Sequence, residues 1–135
     1  MDKNGLLKTG QVYFIDLSDH RGISQRTMKD PHYVTIITNN RFLSSPNVPY
    51  AICVPMTSFD LDSHWDKSKE RLKFNFHHLI YKKKYPLLER DTIIKCDQIF
   101  TIDREYFNNY QFCLDEADIT EVRKRVAFVL GYSSF

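Results

Sequence analysis

The chain has 135 residues, of which 42% are hydrophobic and 27% charged, with a formal net charge of +2. Ten Phe and eight Tyr against four Gly exclude a disordered chain and fit one folded domain over residues 1–135. No apolar run approaches the ~18 residues of a membrane span. The start, Met1-Asp2-Lys3-Asn4-Gly5, lacks the apolar core of a signal peptide, so a cytoplasmic chain with no membrane partner is expected.

Gln11–Leu17 is β-branched and aromatic behind Gly10, which predicts a first strand. Ser18–Pro31 is polar and carries Gly22 and Pro31, so it reads as a long loop. His32–Thr38 is a second strand, stopped by Asn39-Asn40, and Tyr50–Met56 a third. Pro55 places that third strand at an edge or near a strand end. Arg71–Phe76 alternates polar and apolar, so Leu72, Phe74 and Phe76 are expected to face inward. His77–Pro86, with its three lysines, reads as a turn or loop, with His77 and His78 exposed. Thr92–Cys96, Ile99–Ile102 and Tyr110–Leu114 complete the strands.

The period then changes. Ile119, Val122, Val126, Val129 and Leu130 form one helical stripe, with Asp115 or Asp118 as cap and Gly131 as stop. Arg123, Lys124 and Arg125 fall off the stripe, on a solvated face. Strands without helices between them disfavour parallel winding. The expected class is α+β, mainly β: an antiparallel barrel or sheet with a C-terminal helix packed on it.

Three cysteines, Cys53, Cys96 and Cys113, are too few for a disulfide framework and none are paired as C-x-x-C. They read as buried apolar residues of a reducing compartment. Charge is uneven. Lys67–Lys95 holds nine basic and three acidic residues, a net of +6, and leaves −4 on the rest. Such a field suits a polyanion, or is a solvated lysine-rich loop.

The chain has no Gly-rich phosphate loop, no H-E-x-x-H and no G-x-S-x-G, so no metal or nucleotide cofactor is expected. In Ile93–Asp103, read as a strand, Lys95 and Asp97 share one face, with Ile94 and Cys96 on the other. An ammonium beside a carboxylate serves as acid, base or phosphate clamp, or as a surface ion pair. Thr57 and Ser58 put two hydroxyls just past a strand.

These residues carry a resemblance. Gly10–Ser18, Val34–Asn40, Val54-Pro-Met-Thr-Ser58 and Asp91-Thr-Ile-Ile-Lys-Cys-Asp-Gln-Ile-Phe-Thr-Ile-Asp103 are similar, in order and spacing, to the motifs of the MazF/PemK (Kid-like) toxin family. The similarity runs over roughly residues 9 to 133. It implies an SH3-like β-barrel with a C-terminal helix, a homodimer, and a toxin that cleaves single-stranded RNA without a metal. A cognate antitoxin with an acidic tail is the implied partner. The family's acid/base pair falls on Lys95 and Asp97, and its phosphate-touching Thr on Thr57.

The loop departs from the family pattern, which has Gly-x-Arg-Pro-Val. Counting back from Val34 puts His32 in the Arg position; counting from Pro31 offers Lys29 or Asp30. Imidazole suits acid or base work. Phe100 stands where the family has a further Arg. Ser58, Gln98, Lys29 and Lys82–Lys84 are expected to hold RNA, with Phe100 or Tyr33 stacking a base. The alternatives are a decayed binding module or repressor subunit of the same fold, a gyrase poison, and a generic single-strand binder.

Overall fold

The computed structural model describes residues 6–16 and 32–132. The expected loop Ser18–Pro31, with Lys29 in it, lies outside the described residues, as does the tail beyond Tyr132. In chain order the elements are β1 (Gln11–Ile15), β2 (His32–Ile36), α1 (Asn40–Leu43), β3 (Tyr50–Ser58), α2 (Leu61–His64), β4 (Trp65–Asp66), β5 (Arg71–Leu72), β6 (His77–Ile80), β7 (Thr92–Lys95), β8 (Phe100–Asp103), β9 (Tyr110–Cys113) and α3 (Glu116–Val129). The strands curl into an antiparallel half-barrel in the order β6-β7-β3-β2-β1-β9, with β8 also on β3 and β4-β5 a separate ribbon.

Both faces of this sheet are buried, and strict alternation along each strand sorts the side chains between them. Tyr13, Ile15, Val34, Ile36, Cys53 and Ile102 build one core with Phe107. Val12, Val54, Met56, Ile94 and Cys96 build the other, which α3 covers with Ile119 and Val122. That is why successive residues such as Val12 and Tyr13 are both fully buried.

β3 is the spine of the sheet, and its register explains the shape. It pairs β2 on one edge without interruption. Ile37 N–H donates to Ile52 O, so even-numbered residues of β3 bond toward β2. Odd-numbered residues therefore bond toward β7 and β8, as Phe59 N–H to Asp91 O shows. Pro55 is odd and has no N–H to give to that edge. There the ladder breaks. Cys53 pairs Phe100 and Met56 pairs Ile94, so the five residues Lys95–Ile99 stand opposite only Val54 and Pro55. The surplus is thrown out as a turn.

The helix is anchored by one carboxylate. Asp118 accepts from Tyr85 Oη at 2.5 Å, meets His78 Nε2 at 2.8 Å and Lys84 Nζ at 3.0 Å. Burial alone would raise the Asp118 pKa, but the Tyr85, His78 and Lys84 contacts win and hold it low. The cap is Asp115, which accepts from Asp118 N–H.

Several expectations need correction. Arg71–Phe76 is not one strand: only Arg71–Leu72 pairs, with Trp65–Asp66. Phe74 is 45% exposed, and its ring stacks on Phe76 and meets His77 edge-on instead of entering the core. His77–Ile80 is a strand and not a loop, because its backbone pairs with β7. The lysines begin only after it. His77 is 6% exposed and His78 is bound to Asp118, so neither is an exposed loop histidine. Arg125 is not on a solvated face; its Nε donates to His77 O at 3.0 Å. Val129 and Leu130 are exposed, since the stripe outruns the sheet beneath it. Cys113 is exposed, while Cys53 and Cys96 are buried.

Gly10 is the tightest contact between sheet and helix. Its φ is +87°, and a Cβ there would lie 2.5 Å from Ile119 Cδ1. Gly131 shares the conformation (φ +84°) but has open space around it. Gly10→Ala should therefore cost about 2–4 kcal/mol, strain plus overpacking, and Gly131→Ala only about 1–2 kcal/mol. Paired denaturant titrations check the order; equal losses would mean that the approach of Ile119 does not matter.

Candidate functional site

The turn forced out of the sheet carries Lys95, Cys96, Asp97 and Gln98 and is closed by Gln98 N–H donating to Lys95 O at 3.2 Å. Asp97 is exposed and Lys95 half-buried. They do not form an ion pair with each other, and neither side chain has a hydrogen-bond partner among the described residues. Both charges are thus open to a ligand. Cys96 points into the helix-side core, where burial pushes its thiol up to about 12, so it is no nucleophile.

Lys95 is set directly across from His77 on β6. The His77 ring packs edge-on against His64, 5.8 Å between centroids. His64 is itself held by accepting Asp60 N–H at its Nδ1, at 2.8 Å. Burial is the main cause that lowers the pKa of His77; the Asp97 carboxylate opposes it, and His64 and Lys95 add to it. Burial also leads for His64, followed by the charge of Lys95. Two neutral imidazoles thus lie beside the ammonium and the carboxylate.

Two buried side-chain atoms among the described residues lack a hydrogen-bond partner: His77 Nδ1 and Gln98 Oε1. One belongs to the residue across from Lys95 and the other to its turn. Unmet polar atoms are rare in folded chains, and their gathering around one lysine marks a functional place and not a packing one.

Thr57 shares the sheet face of Lys95. It sits opposite Ile93, two residues before Lys95 on the same strand, a diagonal of about 7–8 Å. Thr57 also borders a groove of about 510 Å³ with His32 and Ser58. Phe14 and Tyr33, edge to face at 5.1 Å, form another wall, and Arg90 and Glu89 a third. So His32, Thr57 and Ser58 come together, while Lys95, Asp97 and Gln98 form a second group.

The other expected RNA contacts fare differently. Lys82 Nζ donates to Leu88 O within its own loop, and Lys84 Nζ pairs with Asp115 at 2.6 Å, which ties that loop to the start of α3. Lys83 is exposed. Phe100 packs against the first core with part of its ring exposed. Among the described residues, no group of three or more His, Cys, Asp or Glu is arranged to hold a metal. No helix among them is long and apolar enough to cross a membrane.

Sequence reasoning missed His64 and His77. The one available signal was the apolar company of His77, between Phe74, Phe76 and Leu79, which suits a buried ring better than an exposed one.

A family model described as the PemK-like, MazF-like toxin of type II toxin–antitoxin systems matches residues 8–130. The chain belongs to this MazF/PemK family. The Endoribonuclease MazF of Staphylococcus epidermidis is 27% identical over 130 residues, 96% of each chain. An endoribonuclease solved with its cognate antitoxin from a Mycobacterial species superposes with a TM-score of 0.66 at 17% identity, covering 96% of this chain and 99% of the other. MazF from Deinococcus radiodurans gives 0.63 at 13% identity, covering 93% and 97%. The structural likeness shows that the half-barrel with its C-terminal helix is the MazF fold.

In this MazF-family chain His64, His77 and His78 all have lowered pKa values, burial being the first cause each time. The unfolded chain takes up protons below about pH 6.5 that the folded one refuses. Stability should be full above that pH and fall as the pH drops toward the folded values. The depressed Asp118 adds a second loss below about pH 4, as it protonates. Thermal midpoints measured from pH 8 to pH 3 should show both windows, and His64→Gln should flatten the upper one. A flat curve between pH 7 and pH 5 would contradict the buried imidazoles.

Proposed function

We propose that this chain is an endoribonuclease toxin that cuts single-stranded RNA without a metal and is neutralised by a cognate antitoxin. The observation that carries this reading is the pair Lys95 and Asp97, adjacent and unpaired on a turn that the sheet cannot absorb. The family match and the curated relative named an endoribonuclease support it. The antitoxin partner rests on the similar toxin solved with one. Homodimer formation and a cytoplasmic setting belong to the same reading.

The chemistry is self-contained. The 2′-hydroxyl of RNA loses its proton to a base and its oxygen attacks the adjacent phosphorus. The bond from phosphorus to the 5′-oxygen breaks, and an acid returns a proton to that oxygen. The products are a 2′,3′-cyclic phosphate and a 5′-hydroxyl, with no external nucleophile, and DNA is excluded. Asp97 and Lys95 serve as the acid/base pair, and the ammonium also offsets the charge of the phosphorane. Thr57 Oγ1 donates to the scissile phosphate. His32 stands in for the family's loop arginine, with Ser58 and Gln98 as further hydrogen-bonding groups. Lysine suits the acid role better than arginine, because it gives up its proton more readily.

The test is a long single-stranded RNA incubated with the protein in EDTA. Discrete cuts are expected, ending in cyclic phosphate. Asp97→Ala should lower the rate by about 10²–10⁴-fold while RNA binding is retained. His32→Ala should lower it as well. Binding without any cut in the wild type would overturn the enzyme and leave a binding module of the same fold.

A further inference from the structure

A second groove, of about 490 Å³, opens beside the Lys95 turn, lined by Arg71, Lys73, Asn75, His77 and Arg125 together with Leu72 and Phe74. We propose that it is a phosphate subsite that holds the RNA strand next to the cleaved bond. The proposal rests on the ribonuclease reading above and adds to it a binding site built from the β4-β5 ribbon.

Four observations carry it. The first is position. His77 lines the groove and is the cross-strand partner of Lys95, so the groove begins where the acid/base pair ends. Lys73 and Lys95 both act electrostatically on His64, so both ammonium groups lie near that ring. The second is charge. Arg71 and Lys73 stand on the ribbon side; Lys73 Nζ donates to Asp62 O, and Arg71 is exposed with no hydrogen bond or ion pair among the described residues. Across from them Arg125 is fixed in place by Glu121 and by His77 O, and so shapes the wall. Acidic side chains are missing from the lining. The third is the floor. His77 is nine-tenths buried, and its Nδ1 is met by nothing among the described residues, which a plain packing face would avoid.

The fourth is how the groove is built. Lys73 N–H donates to His64 O at 2.8 Å, and His77 N–H to Phe74 O at 3.2 Å. The first extends the β4-β5 pairing by one residue and the second closes a turn, so Lys73–Phe76 leaves the strand that its alternation suggests. The turn sets Lys73 and Asn75 in the same groove lining as Arg125. A single-stranded backbone is a row of phosphates, and a basic groove with amide and guanidinium donors matches it.

The experiment is binding of a fully 2′-O-methylated RNA oligonucleotide, which cannot be cleaved, at several salt concentrations. It is independent of catalysis, so it still reads if the Asp97→Ala test fails. Arg71→Ala/Lys73→Ala should weaken binding about tenfold or more and lower the slope of log K against log salt by about 1.4, from two lost phosphate contacts. Lys67→Ala/Lys69→Ala removes the same charge from the ribbon turn outside the groove and should change the slope far less. Equal effects of the two pairs would overturn the subsite in favour of a diffuse field. No effect of the groove pair would overturn it outright. If instead that pair abolishes binding of a polyglutamate peptide and leaves RNA binding unchanged, the groove receives an acidic protein segment and the RNA subsite is wrong.

Discussion

A missing N–H governs this molecule. β3 runs through the middle of the sheet and needs partners on both edges, yet Pro55 offers nothing toward β7 and β8. A central strand ordinarily excludes proline because each lost ladder bond leaves an acceptor stranded. Here the neighbouring chain resolves the conflict by leaving β3 after Ile94 and meeting it again at Phe100, while Lys95 stays paired with His77 on β6. The excursion carries Asp97 out of the sheet and leaves Lys95 as the last paired residue of β7. It rejoins β3 at Phe100 with the register shifted by three residues, and the core on that face continues through Ile102. The site is therefore a defect in the sheet whose location one imino acid sets.

The helix keeps that defect in place from behind. Cys96, between the two charged residues, is buried in the same core as Ile119 and Val122. Asp118 ties the start of α3 to β6 through His78 and to the lysine-rich loop through Tyr85 and Lys84. A buried carboxylate with three partners costs much desolvation, and it gives directional bonds that apolar packing lacks. The helix register on the sheet is thus specified, and with it the reach of Arg125 to the backbone of His77.

Most of the frame was legible in the sequence. Strands β1, β2, β3 and β7 combine β-branched residues with clear stops, and α3 has a 3.6-residue stripe that a strand could not share. The motifs around Lys95, Asp97 and Thr57 singled those residues out, and the turn after β7 leaves the two charges without side-chain partners among the described residues. The segment from Arg71 to Ile80 was not. Its alternation Leu72, Phe74, Phe76 has the period of a strand, but pairing with Trp65–Asp66 claims its start, the ladder to β7 claims its end, and a turn closed by His77 N–H on Phe74 O divides the two. Local period records what a segment is able to do; which neighbour claims its backbone is decided by tertiary contacts absent from that window. The two imidazoles were hidden for the same reason. Nothing in His64 or His77 as isolated letters shows that their rings meet. In Lys82–Lys84 three adjacent charges invite a binding role, and the sequence does not show that Lys82 and Lys84 have partners in their own fold while Lys83 is exposed.

The β4-β5 ribbon has only two strands and shares no ladder with the main sheet. A pair of that size is marginal in water by itself. It is held through ring contacts between His64, Phe74, Phe76 and His77, and through the bond from Lys73 N–H to His64 O. Its opening free energy is accordingly lower than that of β1–β3, and its amides exchange with solvent long before theirs. Arg71 rides on this small ribbon and Lys73 directly follows it. A strand of nucleic acid lying across them would slow that exchange locally, so ligand occupancy and ribbon closure are one equilibrium.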